Sequence, residues 1–266
     1  MLKRRDDIFE RLEKFKEIVE SPGDFDSSRA QVLFHELKII LMKNEYLSSD
    51  ANKINFAERM MFREILELAI IMCVKIKNFK DIQNYFSQLS FFYFENNDLP
   101  QSERMFTIID VSLLMDLAFE NKDEYFEINL TQILKTFPTI NFIIQFVLDV
   151  KLCLNDNSIS KLTKLMKTSP SYLFDVFLNK ILYRIRKTLA KNEVKQPNGI
   201  SSSHLAKLLQ FNEENEMGEF LDSLEWKISD SGEIICKPEN VSFKTENCQA
   251  KLKNYLSYAF RFNSLL

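Results

Sequence analysis

The stretch from Ile200 to Cys236 constrains the fold of this chain more than any other part. It begins with three serines that can cap a helix. A short helical segment follows, and after a turn comes a second one at about Glu213 to Glu225. Two short apolar runs then flank a tight turn that contains Gly232, which is the pattern of a β-hairpin. Two helices followed by a small hairpin predict a winged helix.

The chain before this stretch consists of successive helical segments. The 266 residues include only 4 glycines and 6 prolines, too few turn-forming residues for many short strands. Short loops predict antiparallel neighbouring helices. Similar turns at Asn78–Asp81 and Asn121–Glu124 favour stacked helix pairs, without a strict tetratricopeptide signature. The predicted fold class is therefore all-α with a small β wing: a helical-repeat, TPR-like solenoid, then a winged helix and a C-terminal helix.

Two of the early helices carry specific packing predictions. The segment Ile65–Val74 is apolar almost all round, which predicts a position deep in the core. The second helix runs from about Ser27 to Asn44. Its predicted inner face comprises Val32, Leu33, Leu37, Ile40 and Leu41.

The clearest domain boundary is the turn-forming segment Lys195–Gly199. It predicts a helical-repeat stack over residues 1–195 and a winged-helix subdomain over residues 196–244. A C-terminal helix then covers residues 245–266.

This last helix is predicted to be a partner interface. Its apolar residues recur at spacings of three and four, which is a heptad seam, and further apolar residues add a second side. One domain surface would cover only one side, so the pattern favours a bundle with helices of partner chains. The predicted interface residues are Leu252, Tyr255, Leu256, Tyr258, Ala259, Phe262, Leu265 and Leu266.

The sequence contains no motif that indicates chemistry. The four cysteines are far apart and lack the spacing of a zinc site. No nucleophile elbow, phosphate-binding loop, dinucleotide fingerprint or zinc-protease motif is present. We therefore predict no catalytic residue, no cofactor and no metal, and a protein that is not an enzyme.

A winged helix suggests DNA binding, but the charge of this one argues against it. The second helical segment carries six acidic residues and no basic one, so its contact with phosphates would be repulsive. Lys180–Lys195 is the only basic stretch that could bind nucleic acid. Strand edges in the wing could instead pair with a neighbouring subunit. The predicted wing interface consists of Trp226, Ile228, Ile234 and Ile235.

Membrane insertion and secretion are not indicated. The longest uncharged apolar run is Leu68–Val74, far short of the roughly 20 residues that span a bilayer. The N-terminal residues lack the apolar core of a secretory signal. We expect a cytoplasmic and nuclear protein.

Several motifs, taken in order, resemble the PCI family, which is named for the proteasome lid, the COP9 signalosome and translation initiation factor three. The resemblance covers roughly residues 30–266 and is strongest to the proteasome lid subunits. The motifs that carry it are the Arg-acid-Ile-Leu-Glu run within Phe62–Glu67, the aromatic segment Tyr85–Phe94, the turn Leu99–Ser102, the stretch Ile200–Trp226 and the end Tyr258–Leu266.

The resemblance implies a non-catalytic structural subunit of a hetero-oligomer. Its partners would be other lid subunits, namely PCI proteins and the deubiquitinase module, with no nucleic acid and no membrane. The winged helix would join an arc of such modules, and the C-terminal helix would insert in a helical bundle. The alternatives are a PCI subunit of the signalosome or of initiation factor three, or a nucleic-acid-binding PCI module. Arg184–Ala190 departs from the family because bases replace its acids, and residues 1–20 have no place in the resemblance.

Overall fold

The computed structural model describes residues 2–21, 25–43, 56–95, 99–119, 123–138, 142–194, 200–211, 214–229 and 232–235. The chain divides into two compact units, residues 1–193 and 194–266, here called the helical unit and the second unit. The α-helices described in the helical unit are α1 (Leu2–Glu20), α2 (Ser27–Lys43), α3 (Phe56–Lys75), α4 (Phe79–Ser90), α5 (Met105–Ala118), α6 (Asp123–Thr136), α7 (Phe142–Asn155), α8 (Ile159–Lys167) and α9 (Asp175–Val194, whose last residue passes the boundary). The described elements of the second unit are α10 (Ser202–Leu208), α11 (Glu214–Ser223), β1 (Lys227–Ile228) and β2 (Ile234–Ile235).

The prediction of a mostly helical chain with a very small sheet is confirmed. Helices α3 and α5 form the centre of the helical unit. Every residue of Ile65–Val74 is buried, as predicted, and so is all of α5 from Ile108 to Ala118. α3 packs against α1, α2, α4 and α5, and α5 also packs against α6 and α7. Helices that are apolar all round are thus enclosed on every side.

Helix α1, which the resemblance could not place, packs as the first helix of this unit. It contacts α2 and α3, and its stripe of Ile8, Leu12, Phe15 and Val19 is buried. The side chain of Lys75 at the end of α3 donates hydrogen bonds to the backbone oxygens of Val19, at 2.7 Å, and Ser21, at 3.3 Å. A cation at these carbonyls stabilises the end of α1.

The predicted inner face of α2 is wrong at Val32, which is 58% exposed. Phe34 is buried instead, together with Leu37 and Ala30. The Phe34 ring stacks on Phe15 at 5.8 Å and meets Tyr85 edge-on at 5.3 Å. Because one aromatic side chain buries more area than a valine, Phe34 determines the rotation of the helix and Val32 turns to solvent.

In the second unit, two helices precede an antiparallel strand pair in the order expected from the sequence. Lys227 pairs with Ile235 and Ile228 with Ile234, and Gly232 in the connecting turn has a φ of 80°, which glycine adopts without strain. Ser201 forms a bridge with Glu233 on the other side of β2. The buried apolar residues of the second unit include Ile200, Leu205, Leu209, Met217, Phe220 and Leu221.

Candidate protein-interaction site

The strand pair brings only some of the predicted wing residues together. Side chains that pair across two strands share a face, and the faces alternate along each strand. Ile228 and Ile234 therefore lie on one face, and Ile235 lies on the other beside Lys227. Ile228 is 50% exposed and Ile235 is 57% exposed, while Trp226 and Ile234 are half-buried. Each face of the strand pair therefore exposes one isoleucine.

One edge of the strand pair is open within the described part of the chain. β2 lies between β1 and the Ile200–Ser201 segment: the Ile234 amide donates to the Ile200 oxygen at 3.0 Å. On the β1 side, the Ser229 amide donates to the Glu233 oxygen at 2.8 Å. Hydrogen-bonded and non-hydrogen-bonded pairs alternate in such a ladder, so the N–H and C=O of Ile228 point away from β2. This edge can accept a strand from another chain.

Helix α11 presents an acidic face beside the wing. Glu216, Glu219 and Asp222 are exposed at three-residue spacing, while Met217 and Phe220 are buried on the opposite side. The remaining predicted acids of this segment include Glu225, which is exposed, and Glu213, which lies outside the described residues. A negative face of this kind repels the phosphates of a nucleic acid.

The predicted C-terminal interface cannot be compared with the structure. All eight of its residues lie outside the described part of the chain: Leu252, Tyr255, Leu256, Tyr258, Ala259, Phe262, Leu265 and Leu266. Its role stays a prediction, as does the role of the wing residues.

The basic stretch on α9 is partly used inside the helical unit. The Lys180 ammonium lies 4.9 Å from the centre of the Phe79 ring and 5.1 Å from that of Phe119. Arg184 donates to the Leu117 backbone oxygen at 2.9 Å and lies 3.3 Å from a carboxylate oxygen of Asp123. Two of the bases that could have contacted phosphate therefore pack against the protein's own helices.

A buried polar network around Glu67 lies at the centre of the helical unit. The Glu67 side chain on α3 is 1% exposed. It accepts hydrogen bonds from the Tyr93 hydroxyl at 2.9 Å and from the Ser102 hydroxyl at 2.8 Å. Burial raises the pKa of the Glu67 carboxyl, and these two hydrogen bonds oppose the rise.

Tyr93 reaches Glu67 from a π-helical turn, Phe91–Glu95, that directly follows α4. Arg63, one helical turn before Glu67, is 3.7 Å from the Glu67 carboxylate and donates to the Pro100 backbone oxygen at 2.5 Å. The network thus joins three stretches that carry the family resemblance. They are separated in the chain and meet around one carboxylate.

Arg104 extends this network to the surface and to α1. Its guanidinium lies 3.7 Å from Glu67 and 3.5 Å from Glu64, and it donates to Glu20 of α1 at 2.8 Å. Lys16 of α1 contacts Glu64 at 3.1 Å, and this hydrogen bond raises the pKa of Lys16. A cavity of about 450 Å³ lies beside these groups, between α1 and the first half of α3.

Metal and thiol chemistry find no support in the described residues. Within them, no group of three or more His, Cys, Asp or Glu side chains could hold a metal ion. Cys73 and Cys153 are buried free thiols, and burial raises the pKa of Cys73 to about 12, so this thiol stays protonated. The described helices include none long and apolar enough to cross a membrane.

Comparison with known proteins finds a relative that aligns with most of this chain. No protein-family model matches the chain. Over 228 residues the chain is 28% identical to the 26S proteasome regulatory subunit RPN12 of Saccharomyces cerevisiae, covering 83% of this chain and 82% of that protein. The chain is a homologue of a proteasome regulatory subunit. The resemblance predicted from the sequence is thereby confirmed.

The likeness to RPN12 involves both units of the chain. The alignment covers 83% of the 266 residues. The helical unit, residues 1–193, is a smaller share of the chain than that. The alignment therefore includes residues of the second unit as well. In this RPN12 homologue, sequence reasoning anticipated the small strand pair and the acidic helix but missed the Glu67 network. The available signal was an Arg and a Glu four residues apart on the most apolar helix of the chain.

Proposed function

We propose that the chain is a non-catalytic structural subunit of the 26S proteasome regulatory particle lid, of the non-ATPase regulatory subunit 8 type, that supports ubiquitin-dependent protein degradation. The observation that carries the proposal is the similarity to a 26S proteasome regulatory subunit over more than four-fifths of both chains. The partners are other lid subunits, both PCI proteins and the deubiquitinase module, in a hetero-oligomer of the cytoplasm and nucleus.

The fold proposed for this role is a PCI domain. Residues 1–195 form a TPR-like helical-repeat stack, residues 196–244 a winged helix, and residues 245–266 a bundle helix. The order of α10, α11, β1 and β2 supports the winged helix. The bridge between Ser201 and Glu233 supports it further, because a short segment before the first helix then completes a small sheet.

Assembly proceeds through the second unit in two ways. The edge of β1 pairs with a strand of a neighbouring subunit, and Ile228 and Ile235 pack against that subunit's apolar side chains. The C-terminal helix enters a bundle through Leu252, Tyr255, Leu256, Tyr258, Ala259, Phe262, Leu265 and Leu266. The acidic face of α11 favours a protein partner over a nucleic acid.

The helical unit performs no chemistry and gives the subunit its shape. Its buried Glu67 is engaged in structural contacts with Tyr93 and Ser102. The engagement of Lys180 and Arg184 within the unit leaves less of the basic stretch for a nucleic acid. The observations therefore favour the proteasome lid over a nucleic-acid-binding PCI module.

The test of the proposal is affinity purification of the full-length chain from its own cells, with mass-spectrometric identification of the chains that co-purify. We expect the subunits of the proteasome lid at near-equal amounts. Recovery of signalosome or initiation-factor subunits without lid subunits would contradict the proposal. So would co-purifying partners that are lost when nuclease digests bound RNA, because the chain would then associate through RNA.

A truncated chain tests the second contact separately. Deletion of Tyr255–Leu266 should leave the circular dichroism of the helical unit unchanged and abolish entry into the complex, because the bundle contact is lost. The matched control is deletion of Leu2–Glu20, which removes a helix of the stack and should lower stability. Normal entry of the first truncation into the complex would overturn the role of the C-terminal helix.

A further inference from the structure

Asp110 stands out among the acidic residues of the helical unit. It lies on α5, where its relative exposure is 0%, between Ile109 and Val111 in a helix with both neighbours also fully buried. Neither carboxyl oxygen of Asp110 has a hydrogen-bond partner within the described part of the chain. Asp116, six residues further along the same helix, accepts a hydrogen bond from Asn129 at 2.8 Å. Burial alone therefore does not explain the isolation of Asp110.

Within the described residues, no charged group compensates for this isolation. The elements packed against α5 include α3, α4, α6, α7 and the short 3-10 helix Tyr172–Phe174. In the described residues, α6 and the 3-10 helix bury only apolar side chains, and no charge contributes to the environment of Asp110. The other elements packed against α5, and α5 itself, do bury ionisable side chains. These are Arg63, Glu67 and Cys73 on α3, Tyr85 on α4, Asp116 on α5, and Lys151 and Cys153 on α7.

Glu67 and Lys151 have partners of their own. Glu67 binds Tyr93 and Ser102, and Lys151 lies 3.4 Å from Asp123. An ionised carboxylate without a hydrogen bond or a counter-charge is too costly in an apolar interior, so such a group takes up a proton instead. The neutral acid can donate its hydroxyl hydrogen to a nearby backbone oxygen, as serine and threonine do in helices.

We propose that Asp110 is a neutral carboxylic acid in the folded subunit and acts as a pH-sensitive weak point of the helical core, which unfolds more readily as the pH rises. This effect of Asp110 is independent of which complex the subunit enters. It resides in the packing of α5 rather than in the second unit.

The direction of the pH dependence follows from proton binding. Burial raises the pKa of Asp110 to about 8 in the folded chain, whereas an aspartate in an unfolded chain has a pKa of about 3.9. Between these values the folded state holds one proton more than the unfolded state. Stability from this group is thus complete below about pH 4, declines as the pH rises, and is lost above about pH 8. In the steep part of this range, the equilibrium constant for folding falls about tenfold per pH unit.

The test compares the full-length chain with Asp110→Asn, which keeps the shape and cannot ionise. Urea unfolding is followed at several pH values between 5 and 9. We expect the wild-type folding constant to fall relative to the variant by about tenfold per pH unit up to about pH 8. Because Glu67 is present in both proteins, its contribution cancels in this comparison. Asp156→Asn, an exposed aspartate of the helical unit, controls for the substitution and should follow the wild type. Equal pH dependence of wild type and Asp110→Asn would overturn the proposal.

If Asp110→Asn fails to fold, a measurement on the wild type alone still tests the proposal. With carboxyl-¹³C aspartate incorporated, NMR should show one aspartate that still titrates well above about pH 6, whereas glutamates such as Glu67 remain unlabelled. Titration of every folded-state aspartate below about pH 5, close to the ordinary value, would contradict a neutral Asp110.

Discussion

The helical unit and the second unit differ in where their exposed and polar groups find partners. In the helical unit, the Glu67 carboxylate binds Tyr93 and Ser102, and Arg104 joins α1, α3 and the start of α5. In the second unit, Ile228 is 50% exposed and Ile235 is 57% exposed. One strand edge is also open among the described residues. Within the described residues, the polar groups named in the first unit pair with one another, whereas the strand pair of the second unit leaves two isoleucines and one backbone edge exposed.

This contrast assigns two different consequences to mutation. A change in the Glu67 network should lower the free energy of unfolding, because its groups are buried and depend on each other. A change at the open edge should leave folding intact and weaken assembly, because exposed side chains contribute little to folding.

Glu67→Ala should lower the free energy of unfolding by about 3–5 kcal/mol, because it leaves the Arg63 charge buried without its partner. Tyr93 and Ser102 also lose their acceptor. Urea denaturation of the full-length chain measures the change. Glu124→Ala, at an exposed position of α6, is the matched control and should cost less than about 1 kcal/mol. Equal effects of the two variants would show that the network does not stabilise the unit.

Lys75→Met should lower the free energy of unfolding by about 1–2 kcal/mol, because α1 loses two charge-assisted hydrogen bonds at its last carbonyls. The Lys75 ammonium also lies 5.2 Å from the Phe25 ring centre and 5.6 Å from that of Tyr172, contacts that a methionine keeps only in part. Hydrogen exchange of the α1 amides, together with thermal denaturation, checks this. Lys164→Met, an exposed lysine of α8, should leave both measurements unchanged; unaltered exchange in α1 would remove Lys75 from this role.

Ile228→Lys should change the free energy of unfolding by no more than about 0.5 kcal/mol and reduce incorporation into the complex at least tenfold. The lysine places a charge in the proposed apolar contact at the edge strand. The control is Ile128→Lys, at an α6 position that is 64% exposed, with the same side-chain change. Gel filtration of cell extracts separates assembled from free subunit. Similar incorporation of the two variants would contradict the docking of the wing.

Local signals in the sequence predicted the elements that depend on neighbouring residues. The apolar character of Ile65–Val74 indicated burial, and the serines before α10 indicated a cap, where the Ser201 hydroxyl accepts from the His204 amide at 3.2 Å. Gly232 marked the turn of the hairpin. Each of these features is determined within one or two helical turns, or by the backbone freedom of one residue.

Contacts between distant parts of the chain were not predictable in the same way. Glu67 meets partners 26 and 35 residues away, and no spacing rule connects them. The bridge from Ser201 to Glu233 is made by the main chain, which leaves no side-chain pattern. The error at Val32 has a similar origin, because the rings of Phe15 and Tyr85 determine which side of α2 is buried.

Hydrogen–deuterium exchange of the subunit, free and within its purified complex, tests most directly whether assembly occurs through the second unit. We expect new protection in two regions, Lys227–Ile235 and residues 252–266. Peptides from α3 and α5 should exchange equally slowly in both states, since they are already buried. Protection confined to the surface of the helical unit, with unchanged exchange at β1 and the C-terminal residues, would contradict the account.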